Sequence, residues 1–155
     1  MRLLKLLLIL FVCAAGPAVA GPFEDGAAAY NRGDYATALR LWHPLAEQGN
    51  ASAQGNLGWM YANGEGVPQD YAAAVAWYRK AAEQGNTSAQ TNLGLMYANG
   101  QGVPQDDVQA HMWFNLAAAK GHADAIKNRD IAAAKMTPAQ IAEAQKLARE
   151  WKPKQ

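Results

Sequence analysis

Cysteine is almost absent from this chain, and serine is scarce. The one cysteine is Cys13, and the two serines are Ser52 and Ser88. A chain with a single cysteine cannot close an internal disulfide, so its stability must come from packing. Both serines recur at the same place in a repeat described below, where helix capping accounts for them. No cysteine or serine nucleophile is therefore predicted.

The few histidines and clustered acids form no metal-binding pattern. No two of His43, His111 and His122 share the i, i+4 spacing that places two ligands on one helical face. Asp106 and Asp107 have no further carboxylates nearby in sequence to complete a calcium loop. The two Gly-x-Gly segments lack the Lys-Ser/Thr of a phosphate-binding loop. The sequence predicts no catalytic residue, no metal site and no cofactor.

An excess of charge of one sign is also missing. Fourteen lysines and arginines stand against 13 aspartates and glutamates, a formal net charge of +1, and both signs are scattered. Binding to nucleic acid requires a basic stripe, and binding to an anionic membrane requires a polybasic patch. Neither class of partner is predicted.

The one long apolar run lies at the N-terminus. Arg2 and Lys5 precede an apolar stretch from Leu6 to Ala15, and small residues follow. This pattern predicts a secretory signal peptide over residues 1–20, cleaved between Ala20 and Gly21. The run is too short to remain as a stable membrane span.

Cleavage there would leave residues 21–155 as one domain without cysteine, exported to the periplasm or secreted. The alternative is a lipoprotein in which Cys13 carries the lipid. Bulky Val12 before that cysteine disfavours the alternative, which stays open.

Residues 51–86 and 87–122 are two copies of one 36-residue unit. Aligned without a gap, 21 of the 36 positions are identical, with the best match over residues 56–70 and 92–106. A repeat with a period of 20–50 residues is typical of a stacked solenoid. Function in such a fold usually lies on a surface rather than in an enclosed pocket.

Each unit predicts two helices joined by a glycine-rich loop. Asn50 or Ser52 caps a first helix that runs to about Ala62, and Asp70 caps a second that runs to about Gln84. The pattern continues more weakly into residues 21–50 and 123–155. We therefore expect three helix pairs and a C-terminal capping helix, seven helices in all.

The repeated positions resemble the Sel1-like repeat, a longer-looped relative of the tetratricopeptide repeat. In the first unit the resemblance rests on Ala53, Leu57, Gly58, Tyr61, Gly64, Gly66, Val67, Asp70, Ala74, Trp77, Ala81, Ala82 and Gly85. It implies an all-α fold, a right-handed α-solenoid of stacked antiparallel helix pairs. It also implies a protein that holds other proteins together, and the missing nucleophiles and metal patterns predict that it is not an enzyme.

The first helices are predicted to line a concave groove that binds a peptide segment. Positions at which the two units differ, such as Trp59 and Leu95, fall on one helical face together with several asparagines. The predicted groove residues are Asn56, Trp59, Asn63, Thr91, Asn92, Leu95 and Asn99. Trp59 is the expected anchor, since aromatic residues dominate interface hot spots. Whether Trp59 is open to the groove or packs on the first helix pair stays open.

Together these signals predict an exported scaffold or adaptor for a peptide or a partner domain. An envelope regulatory subunit of a sensor, or of a cell-wall or polysaccharide enzyme, is the alternative. A β-lactam-binding or β-lactam-hydrolysing enzyme is a weaker one, because this chain lacks the paired cysteines of the relatives associated with that chemistry. A groove this short also allows a homodimer.

The stacking interpretation predicts which substitutions harm the fold. Gly58 and Gly94 should mark close helix approaches, so Gly94→Leu should destabilise strongly, by ~1–3 kcal/mol or more, through overpacking. Glu65 lies in a loop, and Glu65→Ala should change the free energy of unfolding by about 0.5 kcal/mol or less.

Overall fold

The computed structural model describes residues 20–154, which form eight α-helices and no strand. All but Ala20 of the predicted signal peptide lies outside the described residues. The helices are α1 (Pro22–Asn31), α2 (Tyr35–Glu47), α3 (Ala51–Asn63), α4 (Tyr71–Glu83), α5 (Thr87–Asn99), α6 (Asp107–Ala118), α7 (Ala123–Ala133) and α8 (Pro138–Glu150). The pairs α1–α2, α3–α4 and α5–α6 stack in chain order, which confirms the predicted all-α solenoid.

The helices begin where the sequence carries capping residues. Asn50, not Ser52, caps α3, and its side chain accepts the N–H three residues on at 2.9 Å. Asp70 caps α4 in the same way at 2.9 Å. Thr137 and Gln140 form a reciprocal capping box at the start of α8. Each such cap contributes ~1 kcal/mol, so the repeated caps fix the boundaries of the layers.

Within the two full units, a glycine of the first helix faces an aromatic ring of the second. A Cβ atom built on Gly58 would lie 2.5 Å from Cδ1 of Tyr78, and one on Gly94 would lie 2.5 Å from Cε1 of Phe114. Both rings are about 1% exposed and have no room to move aside. The predicted close approach at both glycines is confirmed.

Two contacts repeated at successive layers hold neighbouring pairs together. The side-chain amide of Gln54 donates to the carbonyl of Ala46 at 2.9 Å, and Gln90 donates to Ala82 at 3.2 Å. These glutamines are buried, so the bonds satisfy groups that water cannot reach.

The glycine-rich loops also bind each layer to the one before it. Gly66 has a positive φ of +73°, and a Cβ atom there would lie 2.9 Å from Cβ of Tyr35. Gly102 has a φ of +71°, and a Cβ atom there would collide with the backbone of Tyr71. The backbone of each loop therefore packs on the start of the second helix of the preceding layer. This close contact explains the Gly-x-Gly pattern.

The C-terminal region departs from the pairing, and the expected total of seven helices is wrong. Residues 123–155 contain two helices, α7 and α8, and α8 packs mainly on α6 rather than on α7. Beyond α8, the ring of Trp151 meets that of Trp113 edge-on, with centroids 6.3 Å apart. Lys154 then pairs with the carboxylate of Glu83 at 2.8 Å. The end of the chain thus runs back across α6 to α4.

Candidate functional site

The first helices of successive layers line a continuous groove. One depression of about 490 Å³ lies between α1, α3 and α5, and it shares Asn92 with a second one between α5 and α7. Further depressions at α3–α5 and α5–α7 share Leu95 and Asn99. All seven residues named from the sequence line these depressions. They are Asn56, Trp59, Asn63, Thr91, Asn92, Leu95 and Asn99.

The seven side chains differ in how much surface they offer. Asn63 and Asn99 are exposed, while Asn92 and Leu95 are half-buried. Thr91 is only 4% exposed, and its hydroxyl donates to the carbonyl of Thr87 at 3.1 Å. Thr91 therefore forms part of the wall of the groove and leaves the other side chains as its contact surface.

Trp59 is anchored at its edge and open at its ring. The side chain is 45% exposed. Its indole N–H donates to the hydroxyl oxygen of Tyr30 at 2.8 Å, across the junction with the first pair. Trp59 therefore contacts the first helix pair and also remains open to the groove, the two interpretations that the sequence left open.

Glu65 completes a chain of hydrogen bonds across that junction. The hydroxyl of Tyr30 donates to Oε2 of Glu65 at 2.7 Å. Burial and this bond to a carboxylate raise the pKa of Tyr30 to about 12, so the phenol stays protonated and keeps donating. Glu65 therefore contacts the preceding layer from its position in the loop, and the small effect of Glu65→Ala on stability stays a prediction.

Two further residues continue the groove into α7, and sequence reasoning missed both. Asn128 follows Asn92 by one period of 36 residues, and Ile131 follows Leu95 by the same period. Asn128 lines the α5–α7 depressions, and Ile131 is 48% exposed on one of them. Extending the repeat by one more period would have found them. Arg129 hid this continuation, because it breaks the Leu-Gly pattern between them.

Three layers therefore present the same pair of residue types. The asparagines are Asn56, Asn92 and Asn128, and the apolar residues are Trp59, Leu95 and Ile131. We call these two rows the asparagine ladder and the apolar ladder.

Charge is unevenly distributed along the groove. Among the described residues, no charged side chain lines the depressions between α1, α3 and α5. At the α7 end, Asp124, Lys127 and His122 line the wall, and Nδ1 of His122 lies 3.4 Å from Oγ1 of Thr91. The two ends of the groove therefore differ in the partner side chains they suit.

Residues 20–154 bring no three histidine, cysteine or acidic side chains together around a metal-sized space. One histidine, His111, is buried in α6, and burial lowers its pKa. Its surroundings are the core rather than the groove. The chemistry available at the groove is hydrogen bonding by amides and contact with apolar side chains.

Stacked helix pairs with a groove along their first helices define an α-helical repeat protein. The sequence profile of the Sel1 repeat matches residues 23–50, 51–86 and 87–122. These segments make up well over half of the chain, and the chain belongs to the Sel1 repeat family.

Two solved structures share this fold with appreciable sequence identity. One is c5321, a protective antigen of uropathogenic Escherichia coli with an SLR fold, at 34% identity and a TM-score of 0.80 over 84% of this chain. The other is a Sel1 repeat protein from Oxalobacter formigenes, at 36% identity and a TM-score of 0.66 over 69% of this chain. The shared regions span 29% and 44% of those two proteins. A comparison with curated protein sequences found no match to this chain.

Sel1 repeat proteins are in general scaffolds for protein–protein interaction and typically have no enzymatic activity. None of the helices described between residues 20 and 154 combines the length and the apolar character needed to cross a bilayer.

Proposed function

We propose that this protein is an exported scaffold that holds a peptide segment or a partner domain in the groove of its first helices. One observation carries the proposal: both ladders continue at a fixed period through three layers, and each layer offers one amide and one apolar side chain. Core packing does not require these residue types to recur, since Trp59 and Ile131 remain about half exposed.

The two ladders suit the two parts of an extended polypeptide. An asparagine side chain can donate to a peptide carbonyl and accept from a peptide N–H, independently of the bound sequence. Partly exposed apolar residues gain free energy when a partner side chain covers them. The asparagine ladder would hold the backbone of the partner, and the apolar ladder would select its side chains.

In-cell crosslinking followed by mass spectrometry tests the groove. We would compare the unmodified chain with an Asn92→Ala, Leu95→Ala variant, which removes both ladder side chains of the central layer. A matched control, Gln145→Ala, Lys146→Ala, alters two exposed residues of α8. Circular dichroism would establish that both variants fold.

A partner that crosslinks to the unmodified chain and the control, but not to the groove variant, is the expected result. A partner captured equally by all three would contradict the proposal. The identity of the partner also separates a general adaptor from a regulatory subunit of an envelope enzyme or sensor.

The export part of the proposal rests on the N-terminal pattern, and it has its own test. The intact mass of the protein recovered from a periplasmic fraction should correspond to a chain that begins at Gly21. A lipid-modified mass beginning at Cys13 would support the lipoprotein alternative. An intact chain in the cytoplasmic fraction would contradict export.

A further inference from the structure

Trp59 is open to the groove, but its indole N–H is already engaged in a hydrogen bond. Its only polar side-chain atom, Nε1, already donates to Tyr30 at 2.8 Å, and yet the side chain remains 45% exposed. The bond fixes the orientation of the ring and removes its one hydrogen-bond donor. A ligand at Trp59 therefore contacts a π-face or edge and receives no hydrogen bond from the indole.

A carboxylate stands beside this ring. Oε2 of Glu65 and Nε1 of Trp59 bind the same phenolic oxygen of Tyr30, at 2.7 and 2.8 Å, so the two atoms lie within 5.5 Å of each other. Glu65 is half-buried, and its other oxygen, Oε1, has no hydrogen-bond partner among residues 20–154. The ion pairs found in this part of the chain involve other acids.

Among residues 20–154, no lysine, arginine or histidine lines the depression that Tyr30 and Trp59 border. The depression is lined by Ala27, Tyr30, Asn31, Trp42, Asn56 and Trp59. A half-buried carboxylate with no ion pair, within 5.5 Å of the indole nitrogen of Trp59, creates a negative potential near this ring.

The second unit lacks both features at once. One period on, Leu95 stands in place of Trp59 and Gln101 in place of Glu65. Between these positions the two units are identical, so the fold accepts either combination. The aromatic ring and the acid therefore occur together at one layer and are absent together from the next.

We propose that this end of the groove binds a cationic side chain, arginine or lysine, of the segment held there. The cation would lie on the ring of Trp59, where the negative face of the π-system attracts it, with the Glu65 carboxylate adjacent. The chain already shows such a contact elsewhere, since Nζ of Lys80 lies 4.3 Å from the ring centroid of Trp77. The inference rests on the proposed use of the groove and adds the chemistry of its first position.

A titration followed by nuclear magnetic resonance tests this inference. The protein, purified from cells that express the full chain, is titrated with an acetylated and amidated pentapeptide carrying one central arginine between serines and glycines. The matched probe replaces arginine by citrulline, which keeps the size and planarity and removes the charge. The readout is the backbone amide signals of residues 56–63.

Two variants separate the ring from the charge. Trp59→Leu and Glu65→Gln each install the residue type that the second unit carries, and the side-chain amide in Glu65→Gln would keep an acceptor for the Tyr30 hydroxyl. We expect the arginine peptide to bind at least about fivefold more tightly than the citrulline peptide. The ratio of the two affinities should fall about threefold in Glu65→Gln. In Trp59→Leu the two peptides should bind equally.

Equal binding of the two peptides, or an arginine preference that is unchanged in both variants, would overturn the inference. The two proposals can fail separately. If a crosslinked partner depends on Asn92 and Leu95 but no arginine preference is found, the cation site is disproved and the scaffold function stands. An arginine preference lost in Trp59→Leu, with no groove-dependent partner in cells, would keep the cation site and remove the scaffold function.

Discussion

Gly94 and Gly55 both lie inside first helices, but their surroundings differ. Beside Gly94 a Cβ atom would meet the buried ring of Phe114 at 2.5 Å, whereas beside Gly55 the nearest side-chain atom is 3.9 Å away. A helical glycine costs about 0.5–1 kcal/mol relative to alanine unless close packing requires it. Gly94→Ala should therefore destabilise by ~1–3 kcal/mol, and Gly55→Ala should stabilise by about 0.5–1 kcal/mol. Urea unfolding followed by circular dichroism measures both.

Gly94→Leu extends the same test, and it should destabilise more than Gly94→Ala. If both alanine variants shifted the unfolding midpoint in the same direction, ring contact would not be the reason for glycine at position 94.

His111 makes stability depend on pH below the ordinary pKa of histidine. Burial lowers its pKa in the folded protein, Arg129 adds to this, and Asp130 partly opposes it. The unfolded chain, with a histidine pKa of about 6.5, binds the proton more readily. The contribution of His111 is therefore fully present above about pH 6.5 and is lost as pH falls below that value toward the lowered folded pKa.

The variant His111→Val installs the residue of the equivalent position in the first unit, Val75. It should lose less stability between pH 7.5 and pH 5 than the unmodified chain, as measured by urea midpoints. The lowered pKa of Asp34, caused by its hydrogen bonds to Thr37, acts at lower pH. Parallel pH profiles for the variant and the unmodified chain would rule out His111 as the source.

At the scale of the element, three helix starts separated by 36 residues differ in one respect. Asn50 and Asn86 cap α3 and α5 through their side chains at 2.9 Å, whereas His122, at the start of α7, makes no capping bond. His122→Asn should therefore stabilise the protein by ~1 kcal/mol, and Asn86→His should destabilise it by a similar amount. Thermal unfolding of the two variants measures both effects.

Thr91 keeps its bond to the carbonyl of Thr87 in either case. A loss of stability in His122→Asn would mean that the contact of His122 with Thr91 outweighs the missing cap.

Local sequence signals predicted α3 to α6 to within about two residues. Asparagine and aspartate caps, and glycines such as Gly64 and Gly85 with positive φ, act over a few residues and can be read directly. The position of α8 could not be predicted in this way. It depends on contacts such as Trp113 with Trp151, which join distant residues and do not repeat.

In the candidate groove, too, some residues follow from the repeat and others from contacts between distant parts of the chain. Comparing the two units indicated the face of the groove, because the units differ there at Thr91 and at Trp59 and Leu95, and the asparagines were included because they lie on or beside that face. The contact between Tyr30 and Glu65 spans 35 residues and occurs at one junction, so the repeat pattern does not predict it.

For the whole molecule, stability should vary along the stack. In a solenoid each layer is stabilised by its neighbours, so a layer with fewer neighbours opens more easily. α5 lies between packed layers, whereas α7 packs on α6 and receives little cover from α8. We expect the amide hydrogens of α7 to exchange with solvent faster than those of α5. Native-state hydrogen exchange measures this, and equal protection would indicate a single cooperative unit.

The repeated junctions have a consequence for how the chain can change in length over evolution. Gln54 and Gln90 make the same bond to the preceding layer, and Gly66 and Gly102 seat their loops on the same point of the helix before them. A third copy of residues 51–86 inserted after Asn86 would meet a matching junction on both sides. A single in-frame duplication of that segment would therefore lengthen the binding surface by one layer and leave both ends of the stack as they are.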